Sequence, residues 1–129
     1  MLVLPRLTLL ALLAGPALPC QDSTFVTKWT VWEGGLAATV KVVAPGPLDR
    51  WTVQLDFNKE FTKMMFFQAV SSSSLGATFN VTNESFNGQK KAGDVIGFSL
   101  LGDYKNGDAA QPISLQKITF NGKQLCQAA

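Results

Sequence analysis

Residues 51–57 read WTVQLDF. Trp51, Val53, Leu55 and Phe57 hold one parity, and Thr52, Gln54 and Asp56 hold the other. Successive side chains of an extended chain point to opposite faces, so this run carries one apolar face and one polar face. The same reading repeats outward in both directions. Leu36, Ala38, Val40 and Val42 alternate with Ala37, Thr39 and Lys41. Ala77, Phe79 and Val81 alternate with Thr78 and Asn80. Ile96, Phe98 and Leu100 form a further inward set, and Ile118 with Phe120 a last one. Turn formers separate the runs: EGG at 33–35, APGP at 44–47, SSSS at 71–74, FNG at 86–88, KNGD at 105–108 and FNG at 120–122. Asn121-Gly122 is the signal of a tight hairpin. Strands at this spacing, with no useful helical period, predict an all-β fold, an immunoglobulin-like antiparallel β-sandwich. Residues 59–70 are the least regular. KEFTKMMFF there allows a short helical turn, but Met64–Phe67 reads better as entry into a strand.

Residues 1–19 read as a secretory signal, with Arg6 as a short positive region and Leu7–Ala14 as a compact apolar core. Gly15 and Ala17 are small residues that place cleavage after Ala17. The apolar run is shorter than a membrane span requires. The domain is expected at 20–126, with 127–129 as a tail. About 110 residues remain, which is one ordinary domain. Without Arg6 there are ten basic residues against nine acidic. That balance argues against nucleic acid or a membrane surface as partner, since both need a concentrated basic field. A monomer is expected.

The chain has two cysteines, Cys20 and Cys126, at the two ends of the expected domain. In an oxidising compartment they pair most economically with each other, free or intermolecular thiols being the alternative. The expected location is extracellular.

Catalysis finds little support. The sequence contains no histidine, which removes histidine-activated nucleophiles and zinc–histidine sites. Glycoside hydrolysis needs two carboxylates across a cleft. Asp49, Asp56, Glu60, Glu84, Asp94, Asp103 and Asp108 instead fall in turns or on outward strand positions. No enzyme, cofactor or resident metal is expected. Asp103, Asn106 and Asp108 crowd one loop, a pattern that suits calcium less often than it makes a plain turn. Two overlapping N-glycosylation sequons begin at Asn80 and Asn83, and Asn80 has the outward parity.

Three aromatic residues lie outside the alternation, in turn-like surroundings: Trp32 in VWEGG, Phe67 in MFFQA and Phe86 in NESFNG. Such residues are either tucked under their loops or displayed. A displayed ring suits a sugar, whose C–H face stacks on it while the hydroxyls bond nearby amides.

The motifs, in order, resemble the family 2 carbohydrate-binding modules over nearly all of the expected domain. VWEGGLAATVKV resembles the family's tryptophan–glycine–phenylalanine opening, with Leu36 for the phenylalanine. RWTVQLDF resembles its glycine–tryptophan–threonine strand, which makes Trp51 core. FQA at 67–69 falls where the family has tryptophan–asparagine–alanine. FNVTNESFNG, AGDVIGFSLLG and PISLQKITFNGKQLC resemble the segments that follow. The resemblance implies a β-sandwich closed by a terminal Cys20–Cys126 disulfide. It also implies a non-catalytic polysaccharide site, for cellulose, chitin or a related β-linked glycan, on Trp32, Phe67 and Phe86. Phe66 is the alternative to Phe67, and Gln68 and Asn87 are candidate polar helpers. The competing reading is a secreted interaction protein that kept the sandwich and lost the sugar face, motivated by phenylalanine at two of the three positions and by the sequon at Asn83 close to Phe86.

Overall fold

The computed structural model describes residues 19–105 and 112–128. The expected signal segment, apart from Pro19, lies outside the described residues. So do Asn106 and Asp108 of the calcium reading. Among the described residues, no group of three or more potential metal ligands gathers.

Among the described residues, a 3-10 turn at Cys20–Asp22 leads into eight strands: β1 (Val26–Trp32), β2 (Gly35–Val43), β3 (Thr52–Phe67), β4 (Ala69–Ser71), β5 (Gly76–Asn83), β6 (Val95–Tyr104), β7 (Leu115–Phe120) and β8 (Lys123–Gln127). All pairings are antiparallel. The all-β expectation is met. The Asn121-Gly122 hairpin is also present, with φ of 46° and 84° at the two turn residues. Positive φ at both central positions matches the twist of the flanking strands.

Strand β3 makes the sandwich. Its first half pairs with β5 and β7, and its second half, from Phe61 to Phe67, pairs with β6. The hydrogen-bonded network therefore divides into two sheets that share β3. The first sheet runs β1-β2-β6-β3, and the second carries β4, β5, β3, β7 and β8. The stretch that looks least regular in sequence is thus the crossing between sheets. Register shifts in its pairing mark the bend. The inward parity changes there as well: Val53, Leu55, Phe57 and Phe61 are buried, and then Met64. An extra residue in a bulge produces this kind of parity change.

Between the sheets lies an apolar core. Trp51 is 1% exposed and stacks on Phe98 with ring centroids 5.8 Å apart. Phe57, Phe61, Phe79 and Tyr104 meet in edge-to-face contacts, and Phe66 adds its ring against Phe79 and Phe98. Offset and edge-on ring pairs contribute roughly 0.5–1.5 kcal/mol each beyond area burial. The disulfide joins Cys20 to Cys126 across a sequence separation of 106, tying the entry of β1 to β8.

Candidate functional site

The outer face of the first sheet is legible from its register. Trp32 pairs with Gly35, Gly35 with Asp103, and Asp103 with Lys63. Four residues further along β3, Phe67 pairs with Ser99, and Ser99 with Thr39. Residues directly opposite one another share a face, so Trp32 and Phe67 both stand on the outer side. Three strand steps at about 4.8 Å and four residues at about 3.4 Å set them roughly 20 Å apart on the diagonal.

Trp32 closes the β1–β2 hairpin beside Glu33 and Gly34, where Gly34 has φ 79°. Its indole lies over Gly35. A Cβ built on Gly35 would come within 2.1 Å of Trp32 Nε1, so only glycine lets the ring lie this close to the sheet. The ring is held from below and remains 43% exposed.

Phe67 ends β3 and is 47% exposed. Phe66, the alternative at this position, turns inward onto Phe79 and Phe98 and is not displayed. Gln68 follows with φ 69°, and buried Ala69 begins β4. The side chain of Gln68 is exposed beside Phe67.

Phe86 is 72% exposed, the most exposed of the large hydrophobic residues among the described residues. Its loop is braced by Asn87, whose side-chain Oδ1 accepts the Glu84 N–H at 2.8 Å and whose Nδ2 donates to the Gln68 carbonyl at 2.8 Å. The Asn87 carbonyl accepts the Trp51 indole N–H at 3.0 Å. Asn87 thus fastens the Phe86 loop to the Phe67–Gln68 corner on one side and to the core tryptophan on the other. Its amide is committed at both ends to holding the loop, which makes it a positioning residue for Phe86.

Motif spacing in the sequence leaves the residues between the rings unidentified. Met65 and Leu101 pair across β3 and β6 and are both exposed, and Ala37 continues the same row onto β2. They give the outer face an apolar strip between Trp32 and Phe67. Beside Phe67 the surface dips into a shallow depression of about 340 Å³, with Ala37 and Leu101 in it and Thr30, Thr39 and Ser99 supplying hydroxyls. Thr39 Oγ1 and Ser99 Oγ lie 3.2 Å apart. Outward parity was the available signal for these residues. The register that sets them side by side was not available from the sequence.

Of the two sequon asparagines, Asn80 is exposed on the outer face of β5, in the second sheet. Asn83 is half-buried, and its amide is engaged at both ends. Oδ1 accepts the Trp51 backbone N–H at 3.0 Å, and Nδ2 donates to the Glu84 carbonyl at 2.8 Å.

Residues 22–126 match the profile of the cellulose binding domain, within the carbohydrate-binding modules of family 2. The chain belongs to this family. Solved structures agree in fold. The chitin-binding domain of Chi18aC from Streptomyces coelicolor is 25% identical with a TM-score of 0.50, covering 76% of this chain and 90% of that one. The chitin-binding domain of a chitinase from Pyrococcus furiosus is 22% identical with a TM-score of 0.51, over 78% and 95%. The chitinase ChiA74 from Bacillus thuringiensis is 18% identical with a TM-score of 0.52, over 72% of this chain and only 14% of that one. No curated protein matches the chain by sequence. As a member of the cellulose binding domain family, the chain shares its matched span with carbohydrate-binding modules, and the sandwich expected from sequence is the family's fold.

Proposed function

We propose that this protein is a non-catalytic module that binds a β-linked polysaccharide, with chitin as the preferred polymer. One observation carries the reading: Trp32 and Phe67 are displayed on one outer sheet face, and Asn87 ties the exposed Phe86 loop to the end of that face. An extended polymer lying on this face stacks one sugar ring on each aromatic. Covering about 80 Å² of apolar area contributes about 2 kcal/mol per ring. Several such platforms bind a chain usefully without a deep pocket.

Chitin is favoured over cellulose by the depression beside Phe67. An acetamido group has an apolar methyl and two polar atoms. Ala37 and Leu101 suit the methyl, and the hydroxyls of Thr39 and Ser99 suit the amide. The chitin-binding domain from Streptomyces coelicolor, at 25% identity over most of its length, supports the same preference. Exposed Gln68 is a further polar contact for a sugar on Phe67. The protein acts outside the cell as a monomer, a location that its Cys20–Cys126 bridge favours.

Sedimentation with insoluble chitin and cellulose tests the reading. The expected result is depletion of the protein by chitin, weaker depletion by cellulose, and no release of soluble sugar from either. Failure to sediment with both polymers contradicts it.

A further inference from the structure

We propose that Asn80, and not Asn83, carries the N-linked glycan of the folded protein. The sequence offers two overlapping acceptor motifs, Asn80-Val81-Thr82 and Asn83-Glu84-Ser85. The sequence alone ranks them only by parity, and the fold separates them by the state of each amide.

Glycan attachment occurs at Nδ2. The donor is an oligosaccharide carried on a lipid diphosphate. A bond forms between Nδ2 and the anomeric carbon as the bond from that carbon to the diphosphate oxygen breaks. The lipid diphosphate leaves, and the amide gives up one proton. The product must then fit the folded protein, with a sugar where an N–H had been.

At Asn83 it does not fit. Nδ2 donates to the Glu84 carbonyl, and Oδ1 holds the backbone N–H of Trp51. Buried Gly88 packs against the same amide: a Cβ there would lie 2.5 Å from Nδ2. A sugar ring is far larger than a methyl group. Swinging the amide outward to make room releases Trp51 N–H and the Glu84 carbonyl together. Both groups are shielded in part from water, and the Trp51 N–H has no other partner in place once the amide has moved, so the move is unfavourable. They also anchor the strand on which Trp51 enters the core and the loop that carries Phe86. A chain modified at Asn83 is therefore selected against during folding.

At Asn80 nothing stands in the way. The residue is exposed and projects from the outer face of β5, opposite Gln54 of β3. That face belongs to the second sheet. Trp32 and Phe67 occupy the outer face of the first, so a glycan on Asn80 stands on the other side of the sandwich.

The test is site mapping on the full chain, expressed in a glycosylating eukaryotic host and collected folded from the medium. Enzymatic glycan release in heavy-oxygen water converts each occupied asparagine to labelled aspartate, which peptide mass spectrometry locates. The label is expected at position 80 alone. Ser85→Ala is expected to leave the single glycan in place, and both Thr82→Ala and Asn80→Gln to abolish it. Label at position 83 in the folded product overturns the proposal. So does a wild-type chain recovered from the medium with position 80 unmodified. None of these readouts uses polysaccharide binding, so their failure is separate from failure of the proposed function.

Discussion

The indole of Trp32 rests on Gly35, its cross-strand partner, and uses the space a Cβ would occupy 2.1 Å from Nε1. The ring is thereby backed closely by the sheet at Gly35. A platform that is held in place before binding loses less conformational freedom when the sugar arrives. Gly35→Ala should therefore tilt the ring while leaving the fold intact. The expected outcome is a shift in unfolding free energy within about 1 kcal/mol, since glycine in a strand interior is no asset in itself. Chitin affinity should fall several-fold. Paired denaturant titrations and adsorption isotherms check both halves.

Phe67 offers a gain-of-function test. It is displayed at the end of β3 without being packed into the core. Phe67→Trp enlarges the stacking area at little cost to the fold. At about 25 cal/mol per Å², some 40 Å² of added cover gives about 1 kcal/mol, or roughly a five-fold gain in affinity. Isothermal titration with soluble chitin oligosaccharides reads it.

Asn87 is expected to matter for binding without touching sugar. Asn87→Ala removes the acceptor for Glu84 N–H and the donor to the Gln68 carbonyl. We expect a stability loss of about 1–3 kcal/mol and a weaker affinity as the Phe86 loop loosens. Phe86→Ala, at a residue 72% exposed, should weaken binding with stability unchanged within about 0.5 kcal/mol. Thermal melts alongside isotherms separate the two behaviours.

The Cys20–Cys126 bridge closes a loop with a sequence separation of 106. In the chain-entropy account, a loop of that size restricts the unfolded state by about 4–5 kcal/mol. The Cys20→Ser, Cys126→Ser double variant should lose most of that amount, seen as a lower midpoint in urea. Wild type treated with a reducing agent should move to the same midpoint.

The sandwich was legible because alternation is a local property. Trp51, Val53, Leu55 and Phe57 announce their face within seven residues, and the asparagine–glycine pair at 121–122 announces its turn. The parity change in β3 was not legible, because it depends on a bulge at the crossing between sheets. Val53, Leu55, Phe57 and Phe61 are buried at odd positions, and then the inward residues are the even-numbered Met64 and Phe66. That change is why Phe66 and Phe67 could not be separated by counting along the strand. Met65, Leu101, Thr39 and Ser99 stayed hidden for a different reason. Each has an outward parity that can be read locally, but their adjacency comes from strand pairing between distant segments. In the sequence Asn87 reads as a candidate polar helper beside Phe86. Its partners at Glu84 and Gln68 became visible only once the loop was closed over the corner of β3.

Trp32 as a sugar platform on the outer face is the central claim. The most direct measurement is an adsorption isotherm on insoluble chitin for wild type and Trp32→Ala, with matched thermal melts. Losing about 2 kcal/mol of stacking predicts roughly a thirty-fold weaker affinity with the fold retained. Equal affinity for the two proteins would contradict the account.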